Sequence, residues 1–136
     1  MISKLDKYQV KRFSRQIVLK NVGALGQKKI LNSKVLIIGM GGLGCPAAEF
    51  LIRAGVGFLG IVDHDKVDLS NIHRQSLFDS TDLNKPKVRV ALKKLNKINP
   101  KAKINTYQVR LDKNNLRKII KNFDFIIDGS DNFETK

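Results

Sequence analysis

The run Gly39-Met40-Gly41-Gly42-Leu43-Gly44 is the part of this sequence best suited to holding a phosphorylated ligand. Its glycines stand at the G-x-G-x-x-G spacing. Glycine there permits a tight turn, lets the backbone approach a phosphate, and allows close packing of the helix that follows. That helix offers unpaired N–H groups and the positive end of its dipole to an anion. Asp63 comes about 20 residues after the loop, where a carboxylate can accept both hydroxyls of a ribose. A purely structural glycine turn is the plain alternative, but strand, loop, helix and acid stand in register. Together they specify an adenine nucleotide without saying which, since NAD, FAD and ATP all carry adenosine and phosphates.

The elements that must position these groups follow from hydrophobic periodicity. Leu5 to Lys20 reads as a basic helix, and a shorter helix is expected from Gln27 to Leu31. Lys34 to Gly39 is an uninterrupted apolar run, as suits a parallel strand buried on both faces. The helix after the glycine loop places Leu43, Ala47, Phe50, Leu51 and Ala54 on one side. Phe58 to Val62 is a second strand ending at Asp63, and a loop runs on to about Leu83. Pro86 opens a helix with Val88, Ala91, Leu92, Leu95 and Ile98 inward and Arg89, Lys93, Lys94 and Lys97 outward. Ile104 to Leu111 reads as a third strand. Asp112 caps a helix with Leu116, Ile119 and Ile120 on its apolar face, and Phe125 to Ile127 is a fourth strand ending at Asp128.

Strands alternating with helices predict an α/β fold: a three-layer, Rossmann-like, doubly wound parallel sheet of order 3-2-1-4. The loop after strand one then faces the crevice at the switch point. A single domain over 1–136 is expected, with a helical arm at 1–33 and a Rossmann core at 34–136. The pattern breaks off just after strand four, where another helix should begin.

The bulk properties narrow the class further. No stretch approaches the roughly 20 apolar residues of a membrane span, and the amino terminus lacks a signal peptide's apolar block. The lone Cys45 excludes an internal disulfide framework. These features point to the cytoplasm. The net charge is +14, and Asp112 is the only acid between Lys85 and Lys121. The lysines lie along helix faces without aromatic interleaving, so a solvated basic surface explains them better than nucleic-acid binding. Attraction of an acidic protein or an anionic nucleotide is the other reading.

Further motifs break the tie between nucleotides. Asp63-His64-Asp65, Leu69-Ser70-Asn71-Ile72-His73-Arg74-Gln75, Lys85-Pro86-Lys87 and Asp128-Gly129-Ser130-Asp131-Asn132 follow the glycine loop, and Arg12-Phe13-Ser14-Arg15-Gln16-Ile17 precedes it. In order and spacing they resemble the ThiF- and MoeB-type adenylyltransferases, which activate sulfur carriers for molybdopterin and thiamine synthesis. The same core recurs in ubiquitin-activating enzymes. The resemblance covers the whole chain but only the amino-terminal half of a family domain. It implies ATP-dependent adenylylation of the C-terminal glycine of a small ubiquitin-fold sulfur-carrier protein, with magnesium.

It also implies residue roles. Gly39, Gly41, Gly42 and Gly44 admit the nucleotide, Asp63 takes the ribose, and Ser70, Asn71 and Asn132 complete its site. Arg74 and Lys87 stabilise charge on the α-phosphate and the departing pyrophosphate. Asp131 is the magnesium ligand, and Arg15 reaches across a homodimer into the neighbouring subunit's site. Taken alone, Arg74 and Lys87 are surface charges, Asp131 is a helix cap, and Asp65 and Asp68 bound a turn. His64 and His73 read as structural or peripheral, because an existing carboxylate needs no proton removed before it attacks phosphorus. Cys45 is expected to be a buried, inert thiol.

The resemblance further implies that the rest of the sheet, much of the carrier surface and the sulfur-transfer cysteine lie beyond Lys136. The family's Cys-x-x-Cys zinc ligands are likewise absent from this chain. Two other readings stay open: a fragment of an NAD(P)-binding Rossmann oxidoreductase, and a non-catalytic basic binding module.

Overall fold

The computed structural model describes residues 1–131. Its centre is β1 (Lys34–Ile38), whose last four residues are all buried. Val35 and Ile37 join the larger apolar cluster, while Leu36 and Ile38 join a second cluster on the opposite face. A strand covered on both faces has no polar side to show water, which is why its sequence is unbroken apolar. β2 (Phe58–Val62), β3 (Lys103–Tyr107) and β4 (Phe125–Asp128) complete a parallel sheet of order β3-β2-β1-β4. The expected order and the three-layer arrangement are both present. β4 forms one edge, with Phe125 and Ile126 60% and 47% exposed. Among the described residues no helix is long and apolar enough to cross a membrane.

The amino-terminal region departs from the single helix expected over Leu5–Lys20. It forms α1 (Lys7–Arg12), capped by Asp6 and Gln9, and α2 (Ser14–Ile17), with a break at Phe13. Phe13 is only 2% exposed and lies where any Cβ on Gly55 would strike its ring, so the chain bends to bury it. α3 spans Gly23–Asn32 and begins earlier than Gln27. Gln27 itself is fully buried: it donates to Ala54 O and accepts from Gln16 Nε2, pinning the arm to the next helix.

α4 (Gly44–Ala54) turns inward a face that only partly matches the expected one, Ala47 and Leu51 packing against the larger cluster as expected. Cys45, Ala48 and Ile52 are buried, whereas Leu43 and Phe50 are 73% and 67% exposed. The helix runs too close to the sheet for large side chains near its start. A Cβ on Gly44 would overlap the carbonyl oxygen of Gly39, so small residues must face inward. α5 (Lys87–Ile98) buries Val88, Ala91 and Leu95 as expected, and Val90 in addition. α6 (Lys113–Ile120) carries the predicted Asp112 cap, which accepts from Asn114 N and Asn115 N, and packs Ile119 on the second face.

Lys94 is not simply outward-facing. Its ammonium bonds Asp79 Oδ2 at 2.8 Å and Asp82 Oδ2 at 2.6 Å, tying the long loop after β2 to α5. The Lys94 bond, reinforced by Thr81, holds the Asp79 carboxyl well below the usual carboxylate range. A depressed folded-state pKa means stability that is present above about pH 4 and is lost as the pH falls further. The melting temperature of wild type should therefore fall on acidification below that point, and Asp79→Asn should flatten the slope. Identical slopes for the two proteins between pH 3 and 6 would rule this linkage out.

Candidate nucleotide site

Backbone geometry at the carboxyl ends of the strands sets up the site. β1 ends at Ile38, and Gly39 turns away with φ of +90°, a conformation that disfavours any Cβ. A Cβ there would also come within 2.9 Å of Gly129 O. Gly39 N donates to Val62 O and Gly129 N donates to Ile38 O, both at 2.8 Å. The glycine loop is thus gripped between the ends of β2 and β4, at the point where the strand order reverses.

Asp63 is a brace as well as a candidate ligand. Its Oδ2 accepts from Met40 N at 2.8 Å, inside the glycine loop, and its Oδ1 accepts from Asp65 N at 2.8 Å. Each oxygen keeps lone-pair capacity for a hydroxyl. The following turn is locked by the Asp68–Asn71 capping box, in which Asp68 Oδ1 also accepts from the Ser70 hydroxyl. Ser70 and Asn71 are therefore engaged within this turn, and neither lines the crevice. Asp68 bounds the turn as expected.

The same turn delivers one of the two cations. Arg74 donates from Nη1 to Ser70 O at 3.0 Å and lays its Cγ and Cδ over Gly42. Lys87 arrives from another direction: Val67 N donates to Lys85 O, and Lys87 N donates to Asp65 O. Its side chain is 7% exposed, yet the one charged partner of its ammonium among the described residues is Asp65 Oδ2, 4.0 Å away. An ammonium so enclosed is costly without an anion close by.

These groups surround a crevice of about 840 Å³. Gly39, Gly41, Gly42, Asp63, Arg74, Lys87 and Asp131 all line it, while Gly44 lies buried behind the loop. Ligand pockets span roughly 300–1,000 Å³. Val109, Arg110 and Leu111, read from sequence as the end of strand three, instead leave the sheet after Tyr107 and form one wall. Gln75, which closes the Leu69–Gln75 motif but was given no role from sequence, lines the crevice with 3% exposure. Periodicity carries no signal for a buried amide in a loop.

Other candidates fall elsewhere. Arg15 is exposed on α2 and does not line the crevice, and Asn132 lies outside the described residues. His73 is exposed; His64 sits at the rim, 3.2 Å from Asp65. Burial raises the Cys45 thiol to about 11, and its Sγ contacts Met40 O, as an inert thiol should. A larger cavity of about 950 Å³ opens at the opposite end of the sheet, among the strand starts Lys34, Phe58 and Lys103. Its lysines gather where α3, α5 and α6 end, and cations at helix carboxyl termini are electrostatically ordinary.

Comparison with known proteins agrees with this geometry. The ThiF family profile matches residues 13–136. The chain is 41% identical over 130 residues to a sulfur carrier protein adenylyltransferase of Thermus thermophilus, covering 96% of this chain and 48% of that protein. It is 47% identical over 125 residues to a molybdopterin-synthase adenylyltransferase of Haemophilus influenzae, covering 92% and 51%. The chain thus spans about half the length of these relatives. The fold matches the Escherichia coli tRNA N6-threonylcarbamoyladenosine dehydratase TcdA, solved with ATP, at a TM-score of 0.84 and 22% identity, over 93% of this chain and 52% of that one.

Proposed function

The chain belongs to the ThiF family, and on that basis we propose that its crevice binds magnesium–ATP for adenylylation of a small ubiquitin-fold sulfur-carrier protein. One observation carries the reading: beyond a ribose-type acid, Arg74 and the enclosed Lys87 converge on the glycine loop. The pyrophosphate of NAD is not cleaved in hydride transfer, so no charge builds there for two cations to counter. They suit a phosphate chain that gains charge as it is cleaved.

The reaction joins an oxygen of the carrier's terminal carboxylate to the α-phosphorus and breaks the bond to the β-phosphate oxygen. Pyrophosphate leaves with that electron pair, and an acyl-adenylate remains. No proton has to move, which agrees with the peripheral places of His64 and His73. Asp63 orients the ribose while bracing the glycine loop. Lys87, a point charge, and Arg74, a planar fork, counter the negative charge that develops around phosphorus. Magnesium bound to the triphosphate would draw charge from the phosphate oxygens. Asp131 is the acid suited to hold it, being an exposed carboxylate at the crevice with no bonded partner among the described residues. The oxygens of Asp63 and the Asp65 carboxylate already face backbone N–H groups, His64 or Lys87. Action in the cytoplasm, and a homodimer in which the exposed Arg15 reaches the neighbouring site, complete the proposal.

Magnesium–ATP should raise the melting temperature by more than an equal concentration of NAD, since ligand binding to the folded state shifts unfolding by mass action. At concentrations about 100 times Kd the gain is about 2.7 kcal/mol. Equal or greater stabilisation by NAD would favour the oxidoreductase reading. Carrier-dependent exchange of pyrophosphate into ATP then tests the chemistry.

A further inference from the structure

Arg74 and Gln75 are neighbours in sequence but serve the crevice in opposite ways. Arg74 lies exposed across Gly42. Gln75 turns beneath the loop, where its Nε2 would be 3.6 Å from a Cβ on Gly41. Among the described residues only two side chains keep a buried polar atom without a hydrogen-bond partner: Arg12 Nε and Gln75 Oε1. Arg12 has other anchors, its Nη atoms bonding Ile98 O and the Tyr8 hydroxyl. Gln75 has none: its amide makes no side-chain bond to a described residue, although the side chain is almost wholly enclosed. A leucine or methionine would fill that space without leaving a carbonyl unsatisfied, so packing does not explain the amide.

The amide calls for a ligand that carries both an acceptor, for Nε2, and a donor, for Oε1. Phosphate oxygens alone supply only acceptors. A phosphate chain with a hydrated cation supplies both, because water on the metal donates. Gln75 is within reach of such a ligand, as it lines the same crevice as Arg74, Lys87 and Asp131.

We infer that Gln75 is a specificity-determining residue whose buried amide reads the hydrated magnesium–triphosphate chain and distinguishes it from a monophosphate. This rests on the nucleotide reading above. A neutral amide adds recognition without adding charge beside Arg74 and Lys87. It is also indifferent to adenosine, which leaves its contribution concentrated on the phosphates.

The test is Gln75→Met, which keeps the length and removes the polar atoms, made in the 136-residue chain. Melting temperature and the Kd values of magnesium–ATP, ATP with excess EDTA, and AMP are measured for both proteins. A ligand-reading amide predicts that the variant melts no lower than wild type when unliganded. Its affinity for magnesium–ATP falls by roughly tenfold or more, the scale of a hydrogen bond to a charged group, while AMP binds almost unchanged. The penalty shrinks when EDTA removes the metal. A structural amide predicts the reverse, a lower melting temperature with magnesium–ATP affinity intact, and that result would overturn the inference. The side-chain amide resonances of wild-type Gln75 give an independent readout: they should move with magnesium–ATP and stay with AMP, and a shift with neither counts against the role. If wild type itself binds no magnesium–ATP, the nucleotide reading falls first, and this inference with it.

Discussion

Gly44→Ala is expected to be the most destabilising single-methyl change in the glycine loop, lowering stability by several kcal/mol and the melting temperature by about 10 °C or more. The added Cβ would overlap Gly39 O and lie 2.8 Å from Gly39 C, both backbone atoms. Backbone cannot escape by changing rotamer, so α4 would have to lift away from β1. Small-domain stability totals only about 5–15 kcal/mol, so such a shift consumes much of it. Gly41→Ala makes a sharp control in the same motif. Its nearest neighbour would be Gln75 Nε2 at 3.6 Å, an ordinary contact, and its backbone is not left-handed. It should cost less than about 1 kcal/mol. Thermal melts of the two variants decide the matter. Similar melting temperatures would show that the close approach of α4 to the loop does not limit the fold.

The second large effect is expected at Lys87. Lys87→Met keeps the aliphatic bulk that α5 buries and removes the ammonium. The unliganded protein should lose little stability, because the lost ion pair is long and its partner Asp65 is exposed. Magnesium–ATP affinity should fall by roughly 10- to 100-fold, the value of a charge-assisted bond made inside an enclosed site. Turnover in carrier-dependent pyrophosphate exchange should fall further, because the interaction strengthens as charge builds at phosphorus. Isothermal titration reads the first effect and exchange kinetics the second. Unchanged affinity together with unchanged exchange would remove Lys87 from the phosphate site.

The two effects also separate the roles of the loop and its cations. Gly44 acts before any ligand arrives, by allowing α4 to start where it does. On the proposed reading Lys87 acts on the ligand, and the fold should tolerate its absence. A variant set that includes both therefore distinguishes loss of the site from loss of its chemistry.

Much of the architecture was legible in the residues themselves. A strand buried on both faces must be continuously apolar, so Val35 to Ile38 announced the centre of a parallel sheet. Asp112 announced a helix start because its carboxylate can bond free N–H groups, and it does so in the structure. The glycine spacing, with Asp63 at the end of the next strand, located the crevice because each constraint is local or joins adjacent elements. Short-range geometry is fixed by residue type and periodicity.

What the sequence did not determine depends on which surfaces meet. The apolar residues of α4 suggested Leu43 and Phe50 as core, yet close packing at Gly44 turns Cys45, Ala48 and Ile52 inward. Phe13 broke an otherwise helical arm because a space beside Gly55 accepts its ring. Lys94 looked solvated until the loop brought Asp79 and Asp82 to it. Above all, nothing in the string of residues marks Gln75 as enclosed and unpartnered, or Lys87 as buried among many exposed lysines. Burial is a property of neighbours distant in sequence, and it is burial that makes an ordinary amide or ammonium costly to leave without a close partner.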